Sequence, residues 1–146
     1  MAAPSSPTGL EQMQAIAEGR APAAPIQTLL GFGLLEVAQG RAVFVCAPTA
    51  QMANPKGSIH GGIAMTLLDS AAGAAVHSTL NVGQSYATLE TKVNLVRAIT
   101  PDTGEIRAEG TVLHRGGRVA TAEGRLTDPT GKLLAHATST CLILGD

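Results

Sequence analysis

The sequence predicts an α+β domain in which one antiparallel sheet packs against a single long buried helix. Three observations carry this. An apolar run of helical length extends from Ile59 to Leu80. β-type runs lie on both sides of it. Turn sequences separate the later runs: Pro101-Asp102-Thr103-Gly104, Arg115-Gly116-Gly117-Arg118 and Asp128-Pro129-Thr130-Gly131.

Residues 1–8 are rich in Pro, Ser and Ala and are expected to be disordered. Leu10, Met13, Ile16 and Ala17 recur at helical spacing, so 8–19 reads as a short amphipathic helix ended by Gly19. Pro22 and Pro25 mark an irregular link. From Gly31 the period changes to that of a hairpin, 32–38 and 41–47, around Gln39-Gly40. Pro48, Pro55 and Gly57 make 48–58 a loop. In the helix that follows, Ile63, Leu67, Ala71 and Ala74 share one face, but the other faces are nearly as apolar. A helix that is hydrophobic all round is a buried one. The remaining runs, 85–97, 104–115, 118–128 and 132–144, read as a four-strand meander. The chain has 146 residues and no internal repeat. The expected organisation is a tail with a short helix, 1–30, and a single domain, 31–146.

Composition narrows the core and the partners. The only aromatic residues are Phe32, Phe44 and Tyr86, so the core is built from Ala, Leu, Val and Ile. Such small side chains allow close helix–sheet contact. The formal net charge of −1 offers no basic excess for a phosphate backbone, and nucleic acid is not an expected partner. Cys46 and Cys141 lack zinc spacing and read as buried free thiols of a cytoplasmic protein. The N-terminal stretch lacks the basic start and apolar run of a signal peptide. Asp69 interrupts the longest apolar stretch, so no membrane span is expected.

Asp69 is the only charged residue between Gly57 and Leu89. Aspartate is a poor helix-interior residue, because its side chain competes for backbone hydrogen bonds. Burying a carboxylate is also costly unless it is paired. Its presence among Leu67, Leu68, Ala71 and Ala72 therefore points to function, against the plainer reading of a solvent-facing side chain. The second feature opens the helix: Asn54-Pro55-Lys56-Gly57-Ser58-Ile59-His60-Gly61-Gly62. The first N–H groups of a helix have no internal partner, and the macrodipole is positive there. Such a start can hold a developing oxyanion. Asp69 lies eight residues beyond Gly61, about 12 Å along one helix. One carbonyl cannot touch both. If the two features form one site, it is shared across a two-fold dimer.

Asn54, His60-Gly61-Gly62 and Asp69, followed by Tyr86-Ala87-Thr88-Leu89-Glu90-Thr91, resemble the hotdog-fold acyl-CoA thioesterases of the phenylacetate-degradation type. The resemblance covers about residues 30–144. It implies a curved antiparallel sheet wrapped around one long helix, with homodimers that share active sites and pair into homotetramers. It implies an acyl-CoA substrate and no cofactor or metal. Asp69 would be the nucleophile or the general base, and the Gly61 N–H would polarise the thioester carbonyl. Asn54 would orient the water or the carboxylate, His60 would support the thioester end, and Thr88 would stand near the attacking water. Arg115, Arg118 and Arg97 would meet the CoA phosphates. Related thioesterases with a catalytic Glu carry Thr one turn later, where this chain has Gly73, which is why the hydroxyl is sought at Thr88.

Other patterns carry less. Gly83-Gln84-Ser85-Tyr86-Ala87 precedes a strand and lacks the last glycine of a nucleophile elbow. Gly31-Phe32-Gly33 lacks the third glycine of a dinucleotide fingerprint. His60, Asp69 and His77 are too widely spaced to chelate one metal. His77 reads as helix-end packing and His136 as structural. Two alternatives stay open: a hotdog hydratase or dehydratase, and a non-catalytic acyl-CoA binding module. The acyl group is not readable.

Overall fold

The computed structural model describes residues 5–146. The expectation of disorder at 1–4 therefore lies outside the described residues. The elements are α1 (Gly9–Ala17), α2 (Pro25–Leu30), β1 (Phe32–Ala38), β2 (Arg41–Cys46), α3 (Gly61–His77), β3 (Ser85–Leu95), β4 (Ile106–Arg115), β5 (Val119–Thr127) and β6 (Leu133–Leu144). Short 3-10 turns occupy Ala50–Met52 and Pro101–Thr103.

Local chemistry accounts for the N-terminal elements. Thr8 and Glu11 form a reciprocal capping box at the start of α1, each satisfying a backbone N–H of the other. Met13, Ile16 and Ala17 then pack against the main core. The Gly9 N–H donates to the Leu80 carbonyl at 3.0 Å. A Cβ on Gly9 would fall 1.9 Å from the His77 carbonyl oxygen, so the start of α1 abuts the end of α3. The link expected after Gly19 contains α2. Pro25 stands at its first turn, where a missing N–H costs nothing, and Gly31 ends it in the left-handed region.

All strands form one antiparallel sheet in the order β1-β2-β4-β5-β6-β3. This corrects the four-strand meander. Only β4, β5 and β6 follow one another; β3 crosses to the far edge and pairs with β6. The segment carrying Pro101-Asp102-Thr103-Gly104 is a crossover, not a hairpin turn. Turn residues report a change of direction, not which strand is met next.

The sheet curves around α3. Bulges interrupt β1 between Leu34 and Glu36, β3 between Thr88 and Glu90, and β4 between Val112 and His114. Each leaves a leucine unpaired, Leu35, Leu89 or Leu113, and each of these is exposed. A bulge sharpens local twist, which lets a sheet wrap a helix. Helix and sheet approach closely at paired glycines. Gly110 faces Gly124 across β4 and β5, and a Cβ on Gly110 would fall 2.2 Å from the Ala71 carbonyl oxygen. On the outer face, Arg41 and Arg107 bridge Glu36 and Glu109. Val43 pairs with both carboxylate residues there and is fully buried.

Candidate active site

Burial divides α3 in two. Ala71 through Val76 are all buried against the sheet and α1. The N-terminal half keeps a stripe at i, i+3, i+4 and i+7 that this chain leaves partly open: Gly62, Met65, Thr66 and Asp69. The expected all-round burial therefore holds for the second half only. Asp69 belongs to the open stripe, beside a cleft of about 320 Å³ lined by Met65, Thr66, Thr91 and Val93.

Asp69 has a partner that the sequence reading did not name. The Thr91 hydroxyl donates to Asp69 Oδ1 at 2.9 Å. Strand register explains the choice. Thr88 pairs with Cys141, but Glu90 pairs with Thr140 and Thr91 with Ser139, so Leu89 is the extra residue. Side chains alternate along a strand, and the bulge resets the alternation. Thr88 and Thr91 both face α3, whereas without the bulge Glu90 would oppose Ser139 and face it. Thr88 instead lies near the Cys141 thiol, whose pKa burial raises. No sequence pattern marks this bulge, and that is why Thr91 was missed.

The start of α3 forms a separate cleft of about 250 Å³ that brings together Asn54, His60, Gly61 and Arg97. His60 is the N-cap, and its Nδ1 accepts the Gly62 N–H at 2.9 Å. A Cβ on Gly62 would lie 2.9 Å from that nitrogen, so the second glycine makes room for the cap. The Gly61 N–H makes no hydrogen bond among the described residues. It is therefore free to donate to a ligand, with the helix dipole behind it. A Cβ on Gly61 would meet Leu95 Cδ1 at 2.6 Å. The Asn54 side chain closes its own loop, donating to Ser58 Oγ at 2.9 Å and accepting from the Lys56 N–H.

The arginines differ in availability. Arg115 is engaged within the chain: it donates to Thr79 Oγ1 and Gln84 Oε1, each at 3.1 Å, and to the Gly116 carbonyl. Arg118 is exposed on the turn. Arg97 is exposed beside His60 and Gly61, with one guanidinium N–H donating to the Leu133 carbonyl at 2.8 Å.

A third cavity, of about 180 Å³, has Ser70, the residue after Asp69, in its lining. Met13, Ile16, Leu34, Phe44 and Ala74 supply most of its apolar wall, and Gln27, His77 and Tyr86 also line it. The Tyr86 hydroxyl lies against Gly73, where a Cβ would approach it to 2.3 Å. Burial pushes the Tyr86 pKa up to about 12, with smaller contributions from Cys141 and Asp69, so the phenol stays protonated near neutrality. His77 Nε2 is 2.8 Å from Gln12 Oε1, and burial lowers the pKa of the ring. Cys46 and Cys141 are both free and buried. No cluster of metal-ligating side chains exists among the described residues. No described helix is long and apolar enough to cross a membrane.

Fold and site together define a hotdog protein: one curved antiparallel sheet around a central helix that carries a single carboxylate. Comparison with known proteins agrees. The model of the thioesterase superfamily matches residues 56–135. A Saccharolobus solfataricus protein assigned as an esterase is 31% identical over 134 residues, covering 92% of this chain and 94% of the relative. A Halobacterium salinarum protein with the same assignment is 36% identical over 85 residues, 57% of this chain and 54% of that protein. Among solved structures, a phenylacetic acid degradation-related protein from Ralstonia eutropha JMP134 superposes with a TM-score of 0.80 at 29% identity, covering 89% of this chain and 98% of that one. The chain belongs to the thioesterase superfamily and is a thioester hydrolase.

Proposed function

We propose that the protein hydrolyses acyl-CoA thioesters at two equivalent sites of a homodimer, each built from Asp69 of one protomer and Gly61 of the other. The observation that carries this is the separation of the two half-sites within one chain. Asp69 and Thr91 line one open cleft; Gly61, with a free N–H, lines another with His60 and Asn54. A two-fold axis beside the open stripe of α3 would bring each half-site to its complement. β3 lies at the edge of the sheet, and Leu89 and Leu95 on it are exposed. An unpaired edge with exposed apolar residues is suited to continuing the sheet into a second copy. Pairing of such dimers into a tetramer is a further step of the same reading.

In this site the Gly61 N–H holds the thioester oxygen and stabilises the negative charge that develops on it. Asp69 acts in one of two ways. As a general base it removes a proton from water, whose oxygen attacks the carbonyl carbon. As a nucleophile it attacks that carbon itself, forming an anhydride that water then opens. On either route the C–S bond breaks and the CoA thiolate leaves, to be protonated by solvent. Thiolate is a good leaving group, so one carboxylate and one oxyanion donor suffice. Thr91 orients the carboxylate, and the loop closed by Asn54 supports the His60 cap. Arg97 and Arg118 are the exposed arginines suited to CoA phosphates, and Arg115 holds the turn that presents Arg118. The mainly apolar cavity that Ser70 helps to line would take the acyl group.

Thiol release across aryl-, arylacetyl- and medium-chain acyl-CoA esters tests the activity. Asp69→Asn should lower kcat by about a hundred- to ten-thousand-fold while CoA-ester binding persists. Retained turnover in that variant would reject Asp69 as the catalytic group.

A further inference from the structure

Ser139 is one of three buried polar residues among those described, and it lies directly behind Thr91. Its hydroxyl is 3.2 Å from the Glu90 carbonyl oxygen, to which it donates. Glu90 closes the bulge at Leu89, where the ladder between β3 and β6 is interrupted. Ser139 Oγ is also 3.3 Å from Thr91 Oγ1. Thr91 has a single hydroxyl proton, and the carboxylate at 2.9 Å is the stronger acceptor for it. Two neighbouring contacts therefore run in sequence: Ser139 holds the backbone of the bulge, and the Thr91 hydroxyl it touches meets Asp69.

Electrostatics shows what this arrangement prevents. Were Leu89 paired with Thr140 in a regular ladder, the register that pairs Thr88 with Cys141 would set Glu90 opposite Ser139. A second carboxylate would then face Asp69 in place of a hydroxyl donor, and like charges at short range disfavour each other. The other titratable groups facing this part of α3 are Tyr86 on β3 and Cys141 on β6, both kept neutral by burial. The bulge thus decides whether the carboxylate meets a donor or a rival. A buried donor aimed at a carbonyl inside an irregular strand is a direct means of fixing it, because losing that contact would leave the buried Ser139 hydroxyl without its acceptor.

We infer that Ser139 is a positioning residue: it pins the β3 bulge through the Glu90 carbonyl and so holds the Thr91 hydroxyl on Asp69. This rests on the reading of Asp69 as the catalytic carboxylate.

The test is a kinetic double-mutant cycle on the full chain, with folding and oligomeric state checked by circular dichroism and sedimentation. Thr91→Val and Ser139→Ala should each lower kcat by about tenfold, with KM changed less than about twofold. Thr91→Ser, which keeps the hydroxyl, should retain most of kcat. Because Ser139 acts through Thr91, the double variant should be no slower than Thr91→Val alone. Should Ser139→Ala fail to fold, Ser139→Cys keeps the volume with a weaker donor and should give an intermediate kcat. Losses that multiply in the double variant, or wild-type kcat in a folded Ser139 variant, overturn the inference. Failure of the functional reading is seen separately, as retained turnover in Asp69→Asn.

Discussion

The two halves of α3 are almost equally apolar in sequence, yet they meet different surroundings. From Ala71 to Val76 every residue is buried within the chain. From Gly62 to Asp69 it leaves a stripe open, and there the polar and functional side chains collect. The same hydrophobic helix thus serves as a core in one half and as a site wall and proposed interface in the other. Hydrophobicity along a helix says that it must be covered, but not by which chain.

Complementation would break that comparison most severely. Gly61→Pro removes the free N–H at a position where proline is tolerated in helices, and Asp69→Asn removes the carboxylate. Each variant alone should be nearly inactive. Mixed after unfolding and refolding, they should recover about a quarter of wild-type turnover, because half of randomly paired dimers carry one intact site. No recovery would mean that the half-sites do not combine across protomers.

Two substitutions sharpen the contrast between the halves. Leu68 is fully buried, and Leu68→Ala should destabilise the fold by about 2–5 kcal/mol in denaturant unfolding. Met65 is 45% exposed in the chain, so Met65→Arg should leave secondary structure intact while shifting sedimentation toward monomer and abolishing turnover. If Met65→Arg stays dimeric and active, the open stripe is not the interface. A milder effect is expected at the paired glycines. Gly110→Ala should cost about 1–3 kcal/mol by overpacking against the Ala71 carbonyl, with kcat less affected than stability.

The smallest effect belongs to the outer face, remote from the site. Hydrogen bonds from Arg41, and then Arg107, hold the Glu36 carboxyl below its usual range. A depressed folded-state value means stability that is present above the ordinary glutamate range and lost as pH falls through the lower folded value. Melting curves of wild type and Glu36→Gln should therefore differ slightly near neutrality and converge in acid. An unchanged gap at low pH would show that the network acts through packing over Val43 and not through charge.

Much of the fold was legible because it depends on local chemistry. The 3.6-residue period marked α1, Gln39-Gly40 marked the β1–β2 turn, and the apolar run marked α3. Asp69 was legible as a charge that neither propensity nor burial favours. Gly61 was legible as a helix start, and His60 beside it proved to be the cap that leaves the Gly61 N–H free. The placement of β3 was not legible, because strand partners are chosen by long-range packing and not by turn residues. Thr91 was not legible either, because one bulged residue inverts which side chains face the helix.

By itself, then, the sequence determined the kinds of element, the lone carboxylate and its distance from the glycine pair. These follow from period, propensity and the fixed rise of a helix. Tertiary structure decided which strand lies at the edge, which hydroxyl meets Asp69 and which half of α3 is left uncovered. Those depend on register and on contacts between residues far apart in the chain, and no local rule encodes them.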